Sequence, residues 1–164
     1  MALLNTIETI NMKLTRISLL LLAATLISSD LAFAASKFAI PATDEGLPGE
    51  GPIRRYGWFQ NLWERKRSGW AKKVEQDQGA VVFLGDSITQ GWGDNMGNSF
   101  PGLKVANRGI SGDTTRGVLI RMQGDVLALN PKGVIILIGT NDLEEKASPE
   151  VIAGNLKLII AELK

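Results

Sequence analysis

The chain has 164 residues, 45% hydrophobic and 21% charged, which suits one globular domain and excludes a disordered polar chain. Its 18 Lys and Arg nearly balance 17 Asp and Glu, so charge gives no argument for a nucleic-acid partner or an anionic surface. Cysteine and histidine are both absent, which excludes disulfides, thiolate zinc sites, a cysteine nucleophile and the usual general base of neutral pH.

The first segment reads as an address. Lys13 and Arg16 precede the apolar run Ile17 to Ile27, and Ala32-Phe33-Ala34 follows. Basic flank, short apolar run and A-x-A site make a secretory signal over residues 1–34, cleaved after Ala34 or Ala35. The run is shorter than the ~20 residues needed to cross a bilayer, so no stable span is expected after cleavage. A secreted or periplasmic location follows. Met12, just before the basic residues, is a second candidate start.

Residues 35–57 hold Pro41, Pro48 and Pro52 among glycines and acids, without apolar periodicity, and read as a linker. A helix is expected from Trp58, with Phe59, Leu62, Trp63, Trp70 and Val74 on one stripe. Arg65, Lys66, Arg67, Lys72 and Lys73 read as its solvated face. Ala80 to Leu84 is a continuous apolar run, as in a parallel strand covered on both faces. A second strand is expected at Leu103 to Asn107 and a third at Gly133 to Ile138. Between them a helix from Thr114 to Leu129 presents Val118, Leu119, Met122 and Val126, and Asn130-Pro131 ends it. The last helix opens at Ser148-Pro149-Glu150, an N-cap followed by a proline at the first helical position. Its stripe is Ile152, Leu156, Ile159, Ile160 and Leu163. Alternating helices and strands imply βαβ units and a parallel α/β sheet, with chemistry at the carboxyl ends of the strands.

Each strand end carries a candidate. After the first comes Gly85-Asp86-Ser87-Ile88-Thr89. Ser87 at a helix start is placed as a nucleophile, with its own N–H available to an oxyanion; the plain alternative is that Ser87 or Asp86 caps the helix. Thr89 replaces the second glycine of a G-x-S-x-G elbow. After the second comes Asn107-Arg108-Gly109-Ile110-Ser111-Gly112-Asp113. Gly109 permits close backbone approach, or else simply makes a tight turn. Ser111 and Asp113 read as turn or cap residues. After the third comes Gly139-Thr140-Asn141-Asp142. The Asn141 amide can donate into the crevice or form an Asx turn, and Asp142 reads as a loop support. Trp92 and Phe100 are candidates to line an acyl pocket.

The three blocks in this order resemble the SGNH hydrolases, or GDSL-like esterases. Gln90-Gly91-Trp92 and Asn-Arg-Gly-Ile-Ser-Gly-Asp-Thr look like the branch related to platelet-activating-factor acetylhydrolase. The resemblance spans about Trp58 to Lys164, so residues 58–164 are expected to form the N-terminal part of such a domain. It implies a flavodoxin-like three-layer α/β/α sandwich, here with the first three strands of the order 2-1-3-4-5. It assigns Ser87 as nucleophile, and the N–H groups of Ser87 and Gly109 with the Asn141 amide as oxyanion donors. It implies no cofactor and no metal.

The family's closing Asp-x-x-His block has no counterpart, because there is no histidine. The chain as given is therefore expected to be essentially inactive and to be a truncated piece, with the third strand left as an apolar edge. The function expected of the family is exported esterolysis of a short-chain acyl or acetyl ester of a carbohydrate or lipid. The other readings are a noncatalytic exported module, a lysophospholipase or thioesterase of the same family, and, distantly, a nucleotide-binding protein. The last lacks a phosphate loop. A small-molecule or carbohydrate or lipid ester is the expected partner, and nucleic acid is not.

Overall fold

The computed structural model describes residues 36–164, so the proposed leader lies outside the described residues. Helix α1 spans Gly57–Ala71, strand β1 Val81–Gly85, helix α2 Ser87–Gln90, and strand β2 Val105–Gly109. Helix α3 spans Thr115–Asp125, strand β3 Gly133–Leu137, helix α4 Thr140–Glu144, and helix α5 Pro149–Glu162. The strands form one parallel sheet in the order β2-β1-β3. That is the expected α/β arrangement, with β1 central.

The sheet has two unlike faces. Val82 and Leu84 of β1 and Ala106 of β2 join Val118, Leu119 and Met122 of α3 and Ile159 of α5 in one buried cluster. Val134, Ile136 and Ile138 pack against it from β3 and its end. Side chains alternate along a strand, so Phe83, Ile135 and Leu137 point the other way. The segment after α2 covers Phe83 there, through a Phe83–Phe100 ring contact at 5.1 Å. Ile135 and Leu137 stay half exposed. Among the described residues β3 has no outer partner strand, the apolar edge the sequence suggested, and Ile135 and Leu137 face solvent there.

Capping accounts for the helix starts. The Thr114 hydroxyl accepts the Gly117 N–H at 3.1 Å to open α3, and Ser148 caps α5 ahead of Pro149. Gly124 does not interrupt α3, which runs to Asp125 and continues as a 3-10 turn over Leu127–Leu129. Asn130 then ends it in the left-handed conformation. On α5, Ile159 is buried as expected, but Ile160 is exposed and the polar Asn155 is buried. The second strand begins two residues later than expected and continues through Asn107, Arg108 and Gly109. Apolar patterning stops at Asn107, yet the polar residues beyond it are buried with partners.

Two sequence expectations are corrected. Residues 37–56 contain no helix or strand, but they are packed and not a free tether. Ile40 and Ile53 bury against Phe59, Trp63, Trp70 and Ile110. Asn155 grips the Glu50 backbone through both N–H and C=O, and the Thr114 hydroxyl donates to the Pro52 carbonyl. Arg67 is not on a solvated face. Its guanidinium lies over the Trp63 ring at 5.4 Å and donates through Nε to Asp125 at 2.9 Å. An arginine stem covers apolar surface while its head takes a buried partner, which hydropathy patterning reads as exposure.

Candidate active site

The register sets Gly85 abreast of Gly109 on one side and Leu137 on the other. The segments that follow the three strands therefore share one edge of the sheet. Close approach there depends on glycine. A Cβ on Gly85 would collide with the Leu137 carbonyl oxygen, and one on Gly109 would collide with the Gln90 nitrogen.

At the first end, Asp86 is buried and its carboxylate accepts the Ile88 N–H at 3.0 Å. Asp86 thus does the capping, and the alternative in which Ser87 is a cap falls away. Ser87 is exposed, and its hydroxyl has no partner among the described residues. Its N–H opens α2 and has no intrahelical acceptor. Helix α2 has only four residues, so little macrodipole is available to an oxyanion beside Ser87.

The second end differs from expectation at Gly109. Its N–H donates to the Asn107 side-chain oxygen at 2.8 Å, so this amide is already committed. Asn107 also donates through Nδ2 to the carbonyls of Thr89 and Gly93, at 2.7 and 2.8 Å. It staples the turn carrying Ser87 onto β2. Sequence reasoning missed Asn107, whose only signal was a polar residue inside a strand. Beyond Gly109, the Ser111 N–H donates to the Gln90 side chain at 2.9 Å, which ties this turn to α2. Gly112 follows with φ +88°, a conformation that favours glycine, and its N–H has no partner among the described residues.

At the third end, Gly139 turns the chain with φ +117° into α4, where an Asx turn had been an alternative. Asn141 is buried; its Nδ2 donates to the Asp113 carbonyl at 2.8 Å, and its Oδ1 accepts from Arg54 Nη1 at 3.3 Å. Asp142 accepts the N–H and the hydroxyl of Thr115, the loop support the sequence suggested. Burial raises the Asp142 pKa, against the lowering effect of those Thr115 bonds.

A layer of buried charge underlies the site. Arg121, fully buried, donates through Nε to Asp113 at 2.8 Å and through Nη2 to the Arg108 carbonyl at 2.9 Å. Arg108 reaches Asp77 at 2.7 Å and the Asp125 carbonyl at 2.9 Å. Burial pushes the Asp113 carboxyl up to about 6, although Arg121 pulls the other way. Asp113 is thus a buried structural carboxylate, beyond the turn or cap role read from sequence.

Beside the Ser87 turn lies a cavity of about 210 Å3 lined by Phe83, Ile88, Trp92, Phe100, Ile135 and Leu137, among others. Trp92 and Phe100 do line an apolar pocket, which is completed by the exposed face of β3. Among the described residues no group of three or more carboxylates is placed to hold a metal.

The GDSL-like Lipase/Acylhydrolase family matches over residues 83–164. Platelet-activating factor acetylhydrolase IB subunit alpha2 of Rattus norvegicus is 30% identical over 125 residues, covering 74% of this chain and 49% of that protein. Subunit alpha1 of the same organism is 36% identical over 120 residues, covering 68% of this chain and 51% of that protein. The chain thus spans about half the length of these relatives. A solved structure described as a candidate platelet activating factor from Streptococcus pneumonia superposes with a TM-score of 0.57 at 22% identity. It covers 65% of this chain and 50% of that one, and it supports the fold alone. With three motif blocks gathered on one sheet edge and half of the chain matched, this chain belongs to the GDSL-like lipase/acylhydrolase family.

Proposed function

We propose that this chain supplies the nucleophile and oxyanion-binding part of a serine ester hydrolase. The observation that carries the reading is Ser87: exposed, unpartnered, and relieved of capping by Asp86. In this mechanism the Ser87 hydroxyl gives its proton to a base as its oxygen bonds the acyl carbon. The carbonyl π electrons move onto the oxygen, and collapse expels the alcohol, which takes up a proton. Water repeats the sequence on the acyl-enzyme, returning the serine and releasing the acid. The Ser87 N–H and the Asn141 amide are the oxyanion donors. The Gly112 N–H replaces Gly109 in this reading, because the Gly109 amide is committed to Asn107. The histidine-free sequence offers no imidazole base, so this chain by itself is expected to be essentially inactive in turnover.

The apolar cavity favours an acyl group, and its modest volume a short one, on a carbohydrate or lipid alcohol. The basic and apolar N-terminal segment supports export to a secreted or periplasmic location. The test is labelling with an alkyl fluorophosphonate, located by peptide mass spectrometry. Modification of Ser87, lost in Ser87→Ala, is expected. Labelling that persists in Ser87→Ala overturns the nucleophile. A lack of any labelling supports a noncatalytic module that keeps the fold.

A further inference from the structure

Arg54 belongs to none of the three motif blocks, and it stands in the segment that the sequence presents as a linker. It is nonetheless buried at the candidate site. Its Nε donates to Glu145 at 2.7 Å and its Nη2 to Glu144 at 2.5 Å, while Nη1 reaches Asn141 Oδ1 at 3.3 Å. It also borders Gly112, where an added Cβ would stand 3.2 Å from Nη1. A single guanidinium therefore bonds the amide side chain and lies beside the turn that the oxyanion reading uses.

An asparagine amide has two ends of nearly the same shape and opposite hydrogen-bonding character. At Asn141 each end meets a partner that tolerates only one choice. The Asp113 carbonyl accepts and cannot donate, so it requires the NH2 end. The guanidinium donates and cannot accept, so it requires the oxygen. A flipped amide would set oxygen against oxygen and N–H against N–H. In the observed orientation one Nδ2 proton is used by Asp113, and the second is the only donor the side chain has left. A cation on Oδ1 also draws electron density from the amide and strengthens that remaining N–H.

We propose that Arg54 is a positioning residue for ester hydrolysis: it fixes the orientation of the Asn141 amide and polarises it, so that its free Nδ2 proton is held ready for the oxyanion. The proposal rests on the reading of Asn141 as an oxyanion donor. Glu144 and Glu145 hold the fork of Arg54, and residues 37–56 bring it to the site.

The test uses the whole chain and four variants, Arg54→Met, Arg54→Lys, Asn141→Ala and the Arg54→Met/Asn141→Ala double variant, each checked for folding by its thermal melt. The first readout is the Asn141 side-chain amide in 15N NMR, assigned from its loss in Asn141→Ala. In Arg54→Met its two protons are expected to shift and to exchange with water at least about tenfold faster, as a released amide does. The second is the rate of Ser87 labelling by an alkyl fluorophosphonate. Asn141→Ala is expected to slow it about 100-fold, as loss of one oxyanion donor does, and Arg54→Met about tenfold. The double variant is expected to be no slower than Asn141→Ala, because Arg54 acts through Asn141. Arg54→Lys, with charge but no planar fork, is expected to recover only part of the loss. An unchanged Asn141 amide in a folded Arg54→Met overturns the proposal, and so does a labelling loss that multiplies fully with that of Asn141→Ala. If Ser87 is labelled in no variant, the nucleophile reading has failed and the NMR readout alone decides the role of Arg54. If Arg54→Met does not fold, the Arg54→Lys spectrum decides: an unchanged Asn141 amide there overturns the role of the fork.

Discussion

Across 27 residues of chain, Asp142 accepts the Thr115 N–H at 2.9 Å and the Thr115 hydroxyl at 2.5 Å. Thr115 is the first residue of α3, so one carboxylate joins the start of that helix to the third motif block. Its neighbour Asn141 is held by the same short helix α4. The Thr115 hydroxyl in turn accepts from Asn155 of α5.

Replacing Asp142 with alanine leaves a buried N–H and a buried hydroxyl without their acceptor. The expected cost is about 2–4 kcal/mol, seen as a lower midpoint in urea with little change in slope. Asp142→Asn keeps one acceptor and is expected to cost less than half as much. Equal losses from the two variants would contradict this, showing that a single amide acceptor recovers nothing of what the carboxylate supplies.

Ser87→Ala behaves in the opposite way. The hydroxyl has no hydrogen-bond partner among the described residues, so stability should change by no more than about 0.5 kcal/mol. Fluorophosphonate labelling should disappear. Loss of stability would mean that the hydroxyl has a structural task.

Gly109→Ala tests the close approach of β2 to the Ser87 turn. The new methyl would meet the Gln90 nitrogen and the Thr89 carbonyl carbon, which are backbone atoms and cannot swing aside. A destabilisation of about 2–3 kcal/mol is expected, with slower labelling of Ser87 as the turn is pushed away. Denaturant melts and labelling rates measure the two effects separately.

The fully buried Asp113 gives a pH signature. Burial raises its pKa from 3.8 to about 6, so the folded state binds the proton more readily than the unfolded chain does. The stabilisation from this proton is complete below pH 4 and is lost as pH rises through about 6. Relative to Asp113→Asn, the wild-type chain is expected to gain stability on going from pH 7 to pH 4, on the order of 3 kcal/mol. Paired melts at several pH values check this, and a difference that is flat with pH would contradict it.

Half-exposed Ile135 and Leu137 lie on strand β3, which among the described residues pairs on one side only, with β1, and such an edge is an invitation to self-association. The double substitution Ile135→Lys/Leu137→Lys is expected to lower the sedimentation-average mass of the purified chain at high concentration. The same change removes two walls of the apolar cavity.

Much of this protein is legible in the order of its residues. The apolar runs at 80–84 and 133–138 locate two strands, Ser148-Pro149 opens a helix, and the order of the three motif blocks puts Ser87 and Asn141 at strand ends. These features are local: periodicity and capping depend on residues a few positions apart. The fate of the polar side chains is not local. Arg67, read as solvated, is buried on Asp125; Gly109, read as a free donor, is taken by Asn107; Arg54, read as part of a linker, lies on Asn141. A buried polar group is stable only with a partner, and each hydrogen-bond partner of Arg67 and Arg54 named above lies tens of residues away in the chain. Short-range pattern was enough for the strands, the helix starts and the place of Ser87 at a strand end, because apolar burial and capping act between near neighbours. Which polar groups meet was settled by the three-dimensional fold, because that depends on which distant segments the parallel sheet brings to its edge.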